Sequence, residues 1–155
     1  MKKAAAPDRK VIVFQLSGKE YSISVEQVTA IEKMQHITRV PNVPAFIKGV
    51  INLRGVIIPI IDLKRRFDLG DADYTHSTRI IIVSFNELEV GFIVDSANDV
   101  LDIPESAIEP RPDSVGTSEA EYINGVANLE SRLLILLSME NILKTAILRN
   151  VDHGA

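Results

Sequence analysis

The 155-residue sequence has no cysteine and no tryptophan, only 8 glycines and 7 prolines, and 5% aromatic residues. Without cysteine there is no disulfide framework, no thiolate metal site and no cysteine nucleophile. So little glycine and proline excludes collagen-like and low-complexity chains. Long apolar runs are also missing. The longest, such as Val56–Ile61, end within six or seven residues, far short of the roughly 20 a membrane-spanning helix needs. The opening MKKAAAPDRK is positively charged but has no apolar stretch behind it, so it does not read as a signal peptide. The expectation is a cytoplasmic protein with no direct membrane insertion. What is present is ordinary for a globular domain: 46% hydrophobic and 25% charged residues. A chain of this size buries about 70% of its unfolded surface, enough for a core without staples.

Formal net charge is −4, but it is unevenly spread: residues 1–76 carry 12 Lys and Arg against 8 Asp and Glu, and residues 77–155 carry 5 against 13. Opposite signs in the two halves suit two surfaces for different partners. Lys33–Arg66 alone holds 7 Lys and Arg, which raises the alternative of a small-barrel nucleic-acid-binding protein. Against it stand the negative total and the scarcity of aromatic rings on which bases could stack.

Nothing in the sequence reads as an active site. His36, His76 and His153 have no second ligand at metal-binding spacing. No GxSxG or HExxH occurs. Gly49 and Gly55 flank strand-like VINLR instead of opening a helix, which excludes a phosphate-cradling loop. Glu119 and Glu121, like Asp71 and Asp73, lie in polar loop sequence that would not raise a carboxyl pKa for acid catalysis. Neither a metal nor a cofactor is expected.

Along the chain, VIVFQL at Val11–Leu16 and Tyr21–Ser24 read as strands joined by a turn at Ser17–Glu20. Val25 and Val28 suggest one helical turn, followed by an extended piece at Ile31–Met34. The Pro41–Pro44 pair interrupts regular structure. Gly49–Leu53 and Val56–Ile61 form a hairpin about Arg54-Gly55, with Pro59 marking an edge position or a bulge. Leu63–Phe67 is a helical turn with Lys64, Arg65 and Arg66 exposed. The pattern then repeats. RIIIVSF at Arg79–Phe85 resembles KVIVFQL at Lys10–Leu16. Val94-Asp95 stands where Val25-Glu26 stood, 69 residues earlier, and YINGV at Tyr122–Val126 echoes FIKGV at Phe46–Val50, 76 residues earlier. Asn128-Leu129 echoes Asn52-Leu53, and Leu133-Leu134 echoes Ile57-Ile58. Several matches in order, with one insertion in Pro104–Ser118, indicate an internal duplication. Each copy supplies about five short strands, which bury one face and hide their edges best as a small barrel. SMENILKTAIL at Ser138–Leu148 has helical apolar spacing and a Ser138 cap.

The string VPAFIKGVINLRGVIIPIIDL at Val43–Leu63 resembles the signature of the bacterial chemotaxis coupling proteins, the CheW-like family. The resemblance runs over roughly residues 10–149 and takes in IVFQL, EYSI, VGFIVD and RLLILLSMENIL. In length the sequence resembles a stand-alone member of the family more than a kinase or a receiver fusion, and a stand-alone adaptor is the expectation. The resemblance implies an all-β protein with short helices: two SH3-like five-stranded β-barrels related by an approximate two-fold, plus a C-terminal helix. Its parts would be a flexible N-terminus (1–9), a first barrel (about 10–66), a connector (67–77), a second barrel (about 78–137), a helix (about 138–148) and a flexible tail (150–155). It also implies a non-catalytic adaptor. Its partners would be the regulatory domain of the chemotaxis histidine kinase and the cytoplasmic tip of methyl-accepting chemoreceptors, with no nucleic acid. By the same resemblance Arg54 matches a coupling arginine, alternatively a hairpin-tip charge. Gly49 and Gly55 match glycines tied to partner binding, alternatively backbone necessities. Val28 matches a partner-facing valine, alternatively a core residue. Ala30 stands where the family often has Glu, and Glu32 is the substitute.

Overall fold

The computed structural model describes residues 8–70, 73–110 and 121–143. The strands are β1 (Arg9–Leu16), β2 (Lys19–Ser24), β3 (Val28–Lys33), β4 (Ile47–Leu53) and β5 (Val56–Asp62), then β6 (Arg79–Phe85), β7 (Leu88–Val94), β8 (Ser96–Ile103), β9 (Ile108–Pro110), β10 (Ile123–Leu129) and β11 (Arg132–Leu137). The helices α1 (Leu63–Arg66) and α2 (Met139–Ile142) are single turns after β5 and β11. No helix among the described residues is long and apolar enough to cross a membrane.

Tight turns fix the hairpins. Ser17-Gly18, Arg54-Gly55 and Asn86-Glu87 all have positive φ at both positions (51° and 80°, 53° and 86°, 51° and 66°). This mirror-image turn has the backbone twist that matches the right-handed twist of the paired strands.

The strands form two sheets, in the orders β8-β1-β2-β11-β10-β9 (sheet I) and β3-β6-β7-β5-β4 (sheet II). The duplication predicts equivalence of β1 with β6, β2 with β7, β3 with β8, β4 with β10 and β5 with β11. Under it the two orders coincide, with β9 added to sheet I. The fold is thus all-β with short helices and two SH3-like units, as expected. One expectation is corrected. The repeat assigns each barrel to one contiguous half of the chain. Instead, sheet I takes β1 and β2 from the first copy and its other strands from the second, and sheet II takes β6 and β7 from the second copy and its other strands from the first. The parallel pairs β2·β11 and β5·β7 both join different copies. A repeat shows which segments are equivalent. It cannot show which copy pairs with which, because equivalent strands carry equivalent patterns. Among the described residues neither sheet closes on itself by hydrogen bonds.

Side-chain alternation generates three cores. From β1, Val11 and Val13 join Ile103, Leu134 and Leu136 in a core made only by sheet I. Sheet II has its own, with Ile51, Ile58, Ile60, Ile80, Ile82 and Ile93. The opposite faces, including Ile12 and Phe14 of β1 and Ile81 and Phe92 of sheet II, meet in a shared core. Burial on both faces explains why β1, β6 and β7 read as nearly unbroken apolar runs.

Pro59 is not at an edge, since β5 lies between β7 and β4. It pairs with Val50, whose N–H and C=O both bond Thr38 on the far side. The pair is therefore a non-hydrogen-bonded one, and the missing Pro59 donor removes no bond to β4. The parallel ladder to β7 begins only at Ile60. Capping is also duplicated: Asp62 Oδ1 accepts from Lys64 N at 3.0 Å, and 76 residues on Ser138 Oγ accepts from Asn141 N at 3.2 Å. Ile142 and Leu143 are buried, as the helical spacing predicts. The predicted helix over 138–148 is shorter in the structure, ending at Ile142, where Leu143 leaves helical geometry. The remainder from residue 144 lies outside the described residues, as do residues 1–7 and 150–155. Of the three basic residues expected to be exposed on α1, only Arg65 is; Lys64 and Arg66 are half-buried.

Candidate interaction surfaces

Arg54 lies at the tip of the β4–β5 hairpin, held by a Gly55 N–H donated to Asn52 Oδ1 at 2.9 Å. Its side chain is 77% exposed, and Nη2 lies 4.0 Å from Glu32 Oε2 on β3. β3 and β4 are the two edges of sheet II, so the pair spans the seam where the sheet curls toward itself. At this exposure and distance the pair contributes no more than about 1 kcal/mol. Its importance is placement, because it sets a charge beside outward apolar side chains. Ile31 precedes Glu32, and Val56 and Ile57 follow the Arg54-Gly55 turn. All three are large, apolar and exposed (43%, 48% and 57%).

The structure brings Arg54, Gly55 and Glu32 together but not the other expected positions. Val28, at the opposite end of β3, is half-buried and packs on the shared core. Gly49 belongs to the bulge of β4, with φ +143° and a missing Cβ that would strike the Thr38 carbonyl oxygen. Gly125, its equivalent, would meet the Glu109 carbonyl oxygen at 2.6 Å. Gly55 is different: its φ of +86° serves the turn, and nothing lies within 4 Å of an added Cβ.

Sequence reasoning missed a second surface. Ile57 corresponds to Leu133 and Ile31 to Val100, at the two offsets of the duplication, and Leu133 and Val100 are likewise exposed (57% and 56%). Here too an arginine stands beside them. Arg132 bonds Glu20 through two nitrogens at 3.0 and 2.8 Å and Asp99 at 3.1 Å. The Glu20 hydrogen bond, ahead of the other contacts, raises the Arg132 pKa. The repeat of Leu133 on Ile57 was visible in the sequence; that both side chains point outward needed the register.

A third feature is a groove of about 740 Å³ lined by Ile37, Val43, Tyr74 and the basic Arg39, Lys48 and Arg65. Among the described residues no group of three His, Asp or Glu is placed to hold a metal ion.

The family model described as "CheW-like domain" matches residues 10–146. The chain is 48% identical over 134 residues to the Chemotaxis protein CheW of Bacillus subtilis, covering 86% of each. It is 38% identical over 147 residues to the Chemotaxis protein CheW of Klebsiella aerogenes, covering 95% of this chain and 89% of that one. Among solved structures, the crystal structure of the scaffolding protein TtCheW from Thermoanaerobacter tengcongensis superposes with a TM-score of 0.83 at 34% identity, over 90% of this chain and 95% of the other.

Proposed function

The chain belongs to the CheW-like family, and on that premise we propose that it is a non-catalytic adaptor coupling chemoreceptors to the chemotaxis histidine kinase. It works in the cytoplasm and reaches the membrane through receptor complexes. The observation that supports this reading is that exposed apolar residues recur at equivalent positions, Ile31 and Ile57 in one copy and Val100 and Leu133 in the other. Each set is flanked by an arginine, Arg54 or Arg132 (themselves not equivalent), on two stiff units with a shared core. Outward apolar anchors with a polar rim are the anatomy of a protein–protein contact. An adaptor has no use for a titrating pair or a metal. It needs two surfaces held at a constant mutual angle.

The kinase regulatory domain is the partner of strands and turns at a unit's end, over a total of about 1,600 Å². The receptor tip, a helical hairpin, is the partner of a groove between the units, with Arg54 as a coupling residue, Glu32 as its ionic neighbour and Val28, at the opposite end of β3, as a separate contact. Gly49 and Gly55 act through the backbone they allow. Titration of the purified kinase regulatory domain at rising salt tests the reading. A contact with an apolar centre weakens modestly between about 50 and 200 mM, whereas a phosphate-binding surface loses orders of magnitude over that range. Collapse of binding across that interval, with retention on DNA or RNA at low salt, would replace the adaptor with the nucleic-acid alternative.

A further inference from the structure

We propose that Arg66 is a positioning residue that sets the mutual orientation of the two sheet units, and thereby of the two surfaces. Arg66 ends α1, which follows β5 of sheet II. Each of its hydrogen bonds crosses to elements flanking sheet I: Nη1 to Tyr122 Oη at 2.7 Å, Nε to Ile142 O at 3.2 Å and Nη2 to Asn141 O at 3.4 Å. Asn141 and Ile142 end α2, whose carbonyls have no partner within a single helical turn. The guanidinium thus caps in trans the helix that duplicates its own.

The place of this contact is as telling as its bonds. Phe46 and Tyr122 are equivalent residues of the two copies, and the Arg66 guanidinium carbon lies 4.6 Å from the ring centroid of each. By the same offset Ile142 occupies in the second copy the position of Arg66 in the first. One cation therefore sits between a duplicated pair of rings and bonds its own counterpart. Three nitrogens of a planar fork reach three acceptors while the guanidinium carbon lies over two rings, a combination a lysine ammonium cannot reproduce. Alongside, Phe67 inserts between Tyr21 and Tyr122, with centroid distances of 5.8 and 5.2 Å. The ring stack supplies burial; the arginine supplies direction, because hydrogen bonds to three fixed acceptors define an angle that apolar contact does not.

The inference rests on the adaptor reading only for what the surfaces dock. Its test uses the free chain, so it can fail without touching that reading. As the sequence has no cysteine, Ile57→Cys with Leu133→Cys gives two clean sites for spin labels, one on each surface. Pulsed dipolar spectroscopy on the parent pair is expected to give one narrow distance distribution. In the Arg66→Met and Arg66→Lys backgrounds the distribution should shift or broaden by about 2 Å, the scale of shifts at packed interfaces. A change confined to stability would lower the folded fraction and leave the folded distance where it was. Parent-like distributions in folded Arg66→Met or Arg66→Lys would overturn the proposal. If Arg66→Met does not fold, Arg66→Lys decides alone; if neither folds, Arg66 is a folding determinant and the positioning role is rejected.

Discussion

The backbone N–H of Ser17 donates to Asp95 Oδ2 at 2.9 Å, across 78 residues of sequence. Asp95 lies between β7 of sheet II and β8 of sheet I, where the chain crosses between units. Its own N–H bonds Gln15 O at 2.9 Å, and Oδ1 lies 3.1 Å from the mostly buried Lys64 Nζ. One carboxylate therefore ties the first hairpin, the crossover and α1 together. Asp95→Ala is expected to destabilise by about 1–3 kcal/mol, through loss of a hydrogen bond to a charged acceptor and of the partner of the mostly buried Lys64. Asp95→Asn keeps an acceptor for Ser17 and should lose no more than about 1 kcal/mol with the ion pair. Urea midpoints at constant slope would measure both. Equal losses would mean that the lysine, not the turn, carries the effect.

Gly49 and Gly55 should separate cleanly. An added Cβ at Gly49 would strike the Thr38 carbonyl oxygen, whereas at Gly55 it would meet open space. Gly49→Ala is expected to cost more than about 2 kcal/mol, and Gly55→Ala only the left-handed penalty of about 1–2 kcal/mol. Gly125→Ala should behave like Gly49→Ala. Thermal melts decide it: a Gly49→Ala variant melting with the parent would return this glycine to the interface.

The Tyr122 pKa is raised above 10.0, chiefly by burial and then by a hydrogen bond to Glu121, with Arg66 opposing. The neutral phenol is thus favoured by the folded state. The associated stability is fully present below pH 10 and is lost as pH rises through the folded pKa. Melting temperature should show no Tyr122-linked slope from neutrality to about pH 9 and a decline beyond pH 10 that Tyr122→Phe reduces. An identical alkaline slope in parent and Tyr122→Phe would remove the phenol from the account.

Much of this was legible because it depends on local pattern. VIVFQL, RIIIVSF and the Arg54-Gly55 turn announce themselves through β-branched runs and turn chemistry. The echo of Phe46 in Tyr122 marks the duplication, and Ser138 reads as a cap; the matching cap at Asp62 shows only in the structure. Strand exchange was not legible, because β3 carries the same signal whichever β1-like strand it pairs with. Arg66 was read as exposed because its acceptors lie 56 to 76 residues away, beyond any local pattern. That Ile57 and Leu133 point outward was not legible, since an apolar residue declares its face only once the register is known.

Arg54→Glu reverses a charge that is 77% exposed and 4.0 Å from its acidic neighbour. Stability should change by no more than about 0.5 kcal/mol, as for most surface substitutions. Binding to a receptor fragment should weaken, because a planar five-donor fork becomes a carboxylate facing Glu32. Melting and receptor binding of the same preparation form the check. An unfolded variant would make Arg54 structural, and parent-like binding would remove it from the receptor surface.

The measurement that reaches the central claim is simultaneous binding. Purified chain, kinase regulatory domain and receptor cytoplasmic fragment are mixed, and the mass of the complex is read by light scattering after size-exclusion chromatography. The account predicts a complex containing all three, in which receptor and kinase fragments co-elute only when the chain is present. Mutually exclusive binding, with each fragment displacing the other from the chain, would contradict it.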